Sequence, residues 1–498
     1  MTDPEATVII EGAAHSPPTL SLFAEPLETA TPRAGKRPIA VIGAGFSGTI
    51  AVLHLLRQLP QDQPVLLCER APEFARGVAY ASGEFDHLLN VRATNMSALA
   101  DEPWHFSDWL RQRMGQSPQG LHPTEAGLFA SRGIYGQYLR TLLDTALRDT
   151  AADARLRLMP DDVTKVTPLG GGGYRLAFAS GQGIEAAGII LAVGNLLPEE
   201  DPDPRICTNP WGEKAWKKLS GDQPVLLIGT GLTMVDLAVS LRRRGFAGRI
   251  IAMSRGGLLP TRHAAADPWP APRFTASELS SLPLLMDRLR REVAAAGQHG
   301  VDWRAVIDSL RPFTAEIWSR LPLAERNRFL RHARRYWDVH RHRMAPPHAD
   351  QIAAMQREGS LSVVAGRISK MEPTGNLVNV RYRLRGAAND QTLAVQRVIM
   401  ASGLEPVART RDPLVAGMLA DGLARLDKHG LGLDVTPSLR VMRADGTPAE
   451  RLWALGPIVR GVFWECIAVP DIRVQASQMA ASVLAGLKAD APRWSYII

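Results

Sequence analysis

Two glycine turns, far apart but in register with each other, constrain this 498-residue chain more than any other feature. The first is VIGAGFSG, an intact G-x-G-x-x-G formed by Gly43, Gly45 and Gly48. The second, in LIGTGLTMVD (Leu227 to Asp236), keeps Gly229 and Gly231 but has Met234 where the third glycine belongs. Each follows a short apolar run and precedes text with helical spacing, FSGTIAVLHLLRQL and LTMVDLAVSLRRR. A further apolar run then closes each unit, PVLLCER ending near Glu69 and Arg70, and GRIIAMSR ending at Ser254 and Arg255. Strand, glycine turn, helix and strand make a βαβ dinucleotide-binding unit.

One constant offset relates the two units: Gly43 to Gly229, Gly45 to Gly231, Gly48 to Met234, Glu69 to Arg255. Internal repeats of this kind decide architecture. An acid at the end of the second strand accepts hydrogen bonds from a ribose 2′-OH, whereas an arginine there suits a 2′-phosphate. The two loops are therefore expected to hold different dinucleotides, with Arg255 selecting NADPH in the second. The third glycine serves helix–strand packing, so Met234 is expected to change packing and leave phosphate contact intact. Each unit also contains an alternating stretch that ends in a similar strand, GIILAVGN with Gly194 and RVIMASG with Gly403.

The expected fold class is α/β, with two nested Rossmann-type dinucleotide-binding domains (three-layer ββα) and a helical insertion. Residues 1–36 read as a disordered extension. Residues 37–218 read as the first part of an FAD-binding domain, 219–365 as an NADPH-binding domain with its insertion at about 270–350, and 366–498 as the return to the first domain. No apolar run reaches the length of about 18 residues needed to cross a membrane, and the N-terminal residues lack a secretion signal. Both point to the cytoplasm. Cys68, Cys207 and Cys466 lie far apart and form no C-x-x-C pair, which disfavours zinc ribbons and dithiol reductases.

The net charge of +8 fits either nucleic acid or phosphorylated cofactors. Its main source is RNRFLRHARRYWDVHRHRMAPP, Arg326 to Pro347. There Phe329, Tyr336 and Trp337 fall near helical spacing, which predicts a buried aromatic stripe with a solvated basic face. A site for an anionic substrate or for NADPH phosphates is the expected use, and nucleic acid is not. His340, His342 and His348 read as polar surface, with no metal site.

With these stretches in hand, the chain resembles the flavoproteins with two dinucleotide-binding domains, in which FAD lies on the first Rossmann unit and NAD(P)H on a second inserted into it. From Arg37 to Leu487 it looks like the bacterial YdhS-like FAD/NAD(P)-binding proteins. GVAYASGEFDHLLNVRATNMSAL, IYGQYL, GTGLTMVD, SRGGLLP, RYWDVHRHRMAPP and ALGPIVRGVFWECIAVPDIRVQA carry that likeness. The resemblance implies fold and cofactors and leaves the substrate undefined. Two patterns of better-known flavin monooxygenases are absent: the linker F-x-G-x-x-x-H, and the G-D pair of the last FAD segment, where Gly456 is followed by Pro457.

What the resemblance implies at individual positions can be stated. Gly43, Gly45, Phe46, Ser47, Gly48, Glu69, Arg70, Gly194, Gly456 and Ile472 would line FAD. Gly229, Gly231, Leu232, Thr233, Ser254, Arg255 and Gly403 would line NADPH. The helix opening at VPDIRVQ would aim its positive end at the flavin N1–C2=O edge, or would simply be a capped packing helix. Asn90, and less directly Asn95, would lie near flavin N5 as catalytic residues, or would cap a turn. The function so implied is NADPH-dependent oxygenation of a small polar substrate, possible anionic or amino-acid-like molecules included, through a flavin C4a-hydroperoxide. A reductase serving another acceptor and a non-catalytic redox sensor are the alternatives.

Overall fold

In the computed structural model, residues 36–81, 87–113, 119–196, 198–403 and 405–489 are described, and the extension expected over residues 1–36 falls outside them except for Lys36. The runs Ile39–Ile42 and Val65–Cys68 are strands with every residue buried, as expected of parallel strands covered on both faces. They pair in parallel, joined through the helix Phe46–Gln58. The strand Gly188–Leu191 flanks Ile39–Ile42 on its other side, also parallel. The complete sheet runs Arg440–Met442, Pro448–Ala454, Gly188–Leu191, Ile39–Ile42, Val65–Cys68, Leu156–Met159.

The second sheet repeats this plan. Val225–Ile228 lies between Ile250–Ser254 and Arg397–Met400, all parallel, and the helix Leu232–Arg243 joins the first two. The repeats differ in their alternating stretches. In the first unit this text forms a separate three-stranded sheet, Val163–Pro168, Tyr174–Phe178 and Gly183–Ala186. In the second, the long strand Leu361–Thr374 pairs with Ile250–Ser254 up to Ala365, then continues from Gly366 as the first strand of an antiparallel meander.

That continuity corrects the expected boundaries. A division at 365/366 cuts a single strand where it changes partner, and the second sheet extends to Met400. A division at 218/219 comes too late, because Ile206–Cys207 already pairs with Arg397–Met400. The cores divide elsewhere: one holds buried residues from Ile39 to Ala192 and from Val407 to Val483, and two smaller clusters hold those from Ile206 to Ala401.

Between Ile250–Ser254 and Leu361–Thr374 lie helices that include Leu282–Gln298, Trp303–Ser309, Thr314–Arg320, Leu323–Arg328 and Arg334–Arg341. The expected insertion end near 350 falls within the helix Pro346–Arg357, which packs on Leu232–Arg243 and sends Ile352 and Met355 into the second core. The basic run departs from expectation. Tyr336 is exposed, whereas Arg341 and Arg343 are buried, because the end of that helix packs inward against the carboxylates of Glu465 and Asp308. His348 is also buried, 3.8 Å from Asp236, and is not part of a polar surface. No helix among the described residues is long and apolar enough to cross a membrane.

Candidate functional site

In both sheets the first strand of the unit has its chain neighbour on one side and a later strand on the other, so a crevice opens above its C-terminal end. Ligands of open α/β sheets bind at such switch points, and both glycine turns lie there. Gly43 has φ +98° and donates its N–H to Cys68 O at 2.9 Å; a Cβ on it would meet Ala192 O at 2.5 Å. Gly229 repeats this with φ +126° and Ala401 O at 2.2 Å from such a Cβ. Only glycine satisfies both the left-handed dihedral and the close neighbouring strand.

The third position differs for a geometric reason. A Cβ on Gly48 would sit 1.8 Å from Gly43 O, whereas Met234 is fully buried within the second core. The second helix therefore stands farther off its turn and fills the gap with a side chain. The second glycines face room: a Cβ on Gly45 would only touch Gly77 Cα at 3.6 Å, and one on Gly231 would meet nothing within 4 Å. Gly194 and Gly403 likewise border open space, with φ +66° and +86°. Backbone can approach a pyrophosphate closely at such positions.

The remaining candidates divide into those facing a crevice and those engaged elsewhere. Glu69 accepts from Ala44 N–H at 2.7 Å and from Ala71 N–H at 3.2 Å, which anchors the first turn to the end of the second strand. Arg70 is held by Asp412 at 2.8 Å and Asp162 at 3.3 Å. Phe46 packs its ring against Tyr80 and Tyr135, so only its backbone is left for a ligand. Ser47 is buried beneath Gly456, whose φ is +79° and whose hypothetical Cβ would meet Ser47 Oγ at 2.5 Å. Pro457 and Gly194 line a common crevice with Arg460.

In the second unit, Ser254 Oγ lies 2.9 Å from Thr230 Oγ1 and accepts from Gly257 N–H at 3.0 Å, so it shapes the loop. Leu232 and Thr233 open the helix and are half-buried. Arg255 is exposed and makes no hydrogen bond or ion pair with another described residue.

The C-terminal helix, Val469–Ala489, offers fewer donors than expected. Asp471 and Ile472 both donate their N–H to Ala468 O at 3.0 Å, and the Ile472 side chain is buried in the first core. Ile472 thus serves packing. The start of that helix is fixed by a two-pronged pair from Arg311 of the insertion to Asp471, at 2.9 and 3.2 Å. Just before it, Trp464 has φ 58° and ψ −73°, and Glu465 N–H bonds to Phe463 O at 2.8 Å. This is a strained γ-turn. Stacking of Trp464 on Trp318, with centroids 4.9 Å apart, holds one side of it. Glu465 holds the other: burial raises its pKa, but His342, Arg341 and the Trp337 indole N–H at 2.7 Å outweigh this and hold it at about 2.

Asn90 is half-buried, and its carbonyl meets His263 Nε2 at 3.0 Å. Asn95 is exposed on the short turn Ala93–Asn95. His263, which meets the Asn90 carbonyl, and the buried Arg343 beside it were not singled out from sequence. The signal for Arg343 was the arginine-histidine alternation at the end of the basic run, and His263 had none.

A family model described as FAD-NAD(P)-binding matches residues 40–196, which contain the first glycine turn and Glu69. An uncharacterized protein of Mycobacterium tuberculosis is 22% identical over 526 residues, covering 90% of this chain and 96% of its own. Among solved structures, ornithine hydroxylase from Pseudomonas aeruginosa superposes with a TM-score of 0.59 at 14% identity, covering 91% of this chain and 99% of that one. A Kutzneria ornithine N-hydroxylase, solved with reduced FAD, NADP+ and L-ornithine, gives 0.60 at 11% identity, covering 90% and 99%. The chain has the fold of the Rossmann-type flavoproteins. At these identities the likeness is one of architecture.

Proposed function

We propose that the chain is an FAD- and NADPH-dependent monooxygenase acting on a small polar substrate. The observation that carries this reading is the duplicated switch-point site, with an acid closing the first unit and an arginine unpartnered among the described residues closing the second. The residues present fit two dinucleotides. Gly43 and Gly229 make turns that no other residue fits, while Gly45, Gly231, Gly194 and Gly403 border space for a ligand. Narrower kinship with the YdhS-like proteins rests on the sequence stretches quoted above. An FAD domain of about 37–192 and 407–489, enclosing an NADPH domain of about 206–401, follows the division of the cores.

Bound FAD would accept hydride from NADPH and activate oxygen; the protein's part is to bind, orient and exclude water. The first turn and Glu69 would hold the FAD pyrophosphate and ribose, and Gly194 and Gly456 would border the rest of the cofactor. Arg255 would hold the nucleotide 2′-phosphate. Asn90, fixed through its carbonyl by His263, would offer its side-chain amide to the reacting centre. The resolved hydroxylases named above act on ornithine, which supports amines of that size as first substrates to try. Oxygen uptake with NADPH tests the reading. Uptake that rises with an added amine and yields oxygenated product is the expected result; uptake giving only hydrogen peroxide, unchanged by any amine, would leave a reductase.

A further inference from the structure

Buried polar nitrogens without partners among the described residues gather around His263, whose Nε2 meets the Asn90 carbonyl. His263 exchanges backbone hydrogen bonds with the Arg343–Met344 end of the basic helix: its N–H reaches Met344 O at 2.9 Å, and Met344 N–H reaches Thr261 O at 2.8 Å. Arg92 sends Nη2 to Ala264 O at 2.9 Å in the same loop. Four nitrogens in this group have no hydrogen-bond partner among the described residues: Arg92 Nε, His263 Nδ1, and Arg343 Nε and Nη1. The Arg343 side chain is only 2% exposed.

Leaving such groups unpaired away from water is costly, and native structures rarely do so without a ligand, ion or water in place. Charge adds to the case. Arg343 is balanced by Asp308, and Arg304 by Asp302 at 3.0 Å. Arg92 has no carboxylate partner among the described residues. Nor is it a loose surface chain, because Gly127, at φ +113°, presses against its stem; a Cβ there would meet Arg92 Cδ at 3.3 Å. Burial, then the charges of Arg343, Arg92 and Arg304, push His263 down to about 3, so its ring is neutral near neutral pH. With Nε2–H donated to the Asn90 carbonyl, Nδ1 is left as an acceptor.

We infer that Arg92, Arg343 and His263 form a substrate-recognition pocket for a carboxylate that carries a neighbouring hydrogen-bond donor, an α-hydroxy or α-amino acid. The two guanidinium groups receive the carboxylate and His263 Nδ1 receives the donor. This position beside Asn90 rests on the proposed function for its meaning, but the pocket itself is tested without turnover.

The experiment measures the thermal unfolding midpoint of the full-length, flavin-loaded protein with sodium glycolate, sodium acetate and sodium chloride at equal ionic strength. The native protein is expected to show a saturable rise with glycolate, a smaller one with acetate and none with chloride. In Arg92→Met the apparent Kd for glycolate should weaken roughly ten- to hundredfold, the range expected for a lost charge-assisted contact. Arg92→Lys, which keeps the charge but loses the planar fork, should recover part of it. Matching flavin absorbance and circular dichroism verify that each variant is folded.

No saturable rise in the native protein, or an equal rise in Arg92→Met, overturns the pocket. So does a parallel loss of NADPH affinity in Arg92→Met, which would assign the oxyanion to a nucleotide phosphate. Oxygen uptake is not read in this experiment, so a failed monooxygenase assay leaves the result standing, and the reverse holds too.

Discussion

Replacing Arg255 by alanine isolates what the second glycine unit selects. The side chain is exposed and has no partner among the described residues, so its removal should change folding stability by no more than about 0.5 kcal/mol. Its whole effect should therefore appear in nucleotide binding. A charge-assisted hydrogen bond to a phosphate is worth about 1.5–3 kcal/mol. Exposure to water and salt screens it toward the lower end, which converts to roughly tenfold in affinity. Steady-state kinetics with both nucleotides give the readout: KM for NADPH should rise about tenfold, and KM for NADH should hardly move. The difference should shrink as ionic strength is raised, since the contact is screened. Equal losses with both nucleotides, or a parent enzyme preferring NADH, would refute the argument that Arg255 stands where Glu69 stands one repeat earlier.

Other outcomes follow from the same geometry. Gly45→Val should fold yet purify colourless, because its position faces a crevice; Gly48→Ala should lose stability outright, since its Cβ lands 1.8 Å from Gly43 O. Circular dichroism and flavin absorbance tell these apart, and yellow Gly45→Val protein would count against the FAD assignment. Met234→Ala should cost about 2–5 kcal/mol in denaturant unfolding by opening a cavity in the second core, and a cost near zero would mean that the helix closes onto its turn. His263 should make the fold acid-sensitive. The unfolded chain takes up a proton on this residue below about pH 6.5, while the folded protein resists until about pH 3. Stability is thus complete above pH 6.5 and declines as pH falls, by at most about 1.4 kcal/mol per pH unit from this group. Urea titrations from pH 7.5 to 4.5 should show a shallower slope in His263→Asn, and an unchanged slope would show that the ring is not held neutral.

Much of this protein was legible in its sequence because the relevant physics is local. A run such as IAVIGAGFSG encodes a buried strand, a turn that only glycine can make and the helix that follows, all within one short segment. The repeat then placed Gly229 and Arg255 by register alone. Nothing local told the chain where its cores divide: Leu361–Thr374 serves a parallel sheet with one end and an antiparallel meander with the other, and the strand runs unbroken between them. The same holds for the basic run. A helix written with arginines and aromatics at helical spacing reads as a solvated face, and only tertiary packing against Asp308 and Glu465 turned Arg343 and Arg341 inward. Whether a charge is buried depends on what distant segments bring to meet it, so Arg343 came beside His263, and His263 onto the Asn90 carbonyl, only in the folded chain.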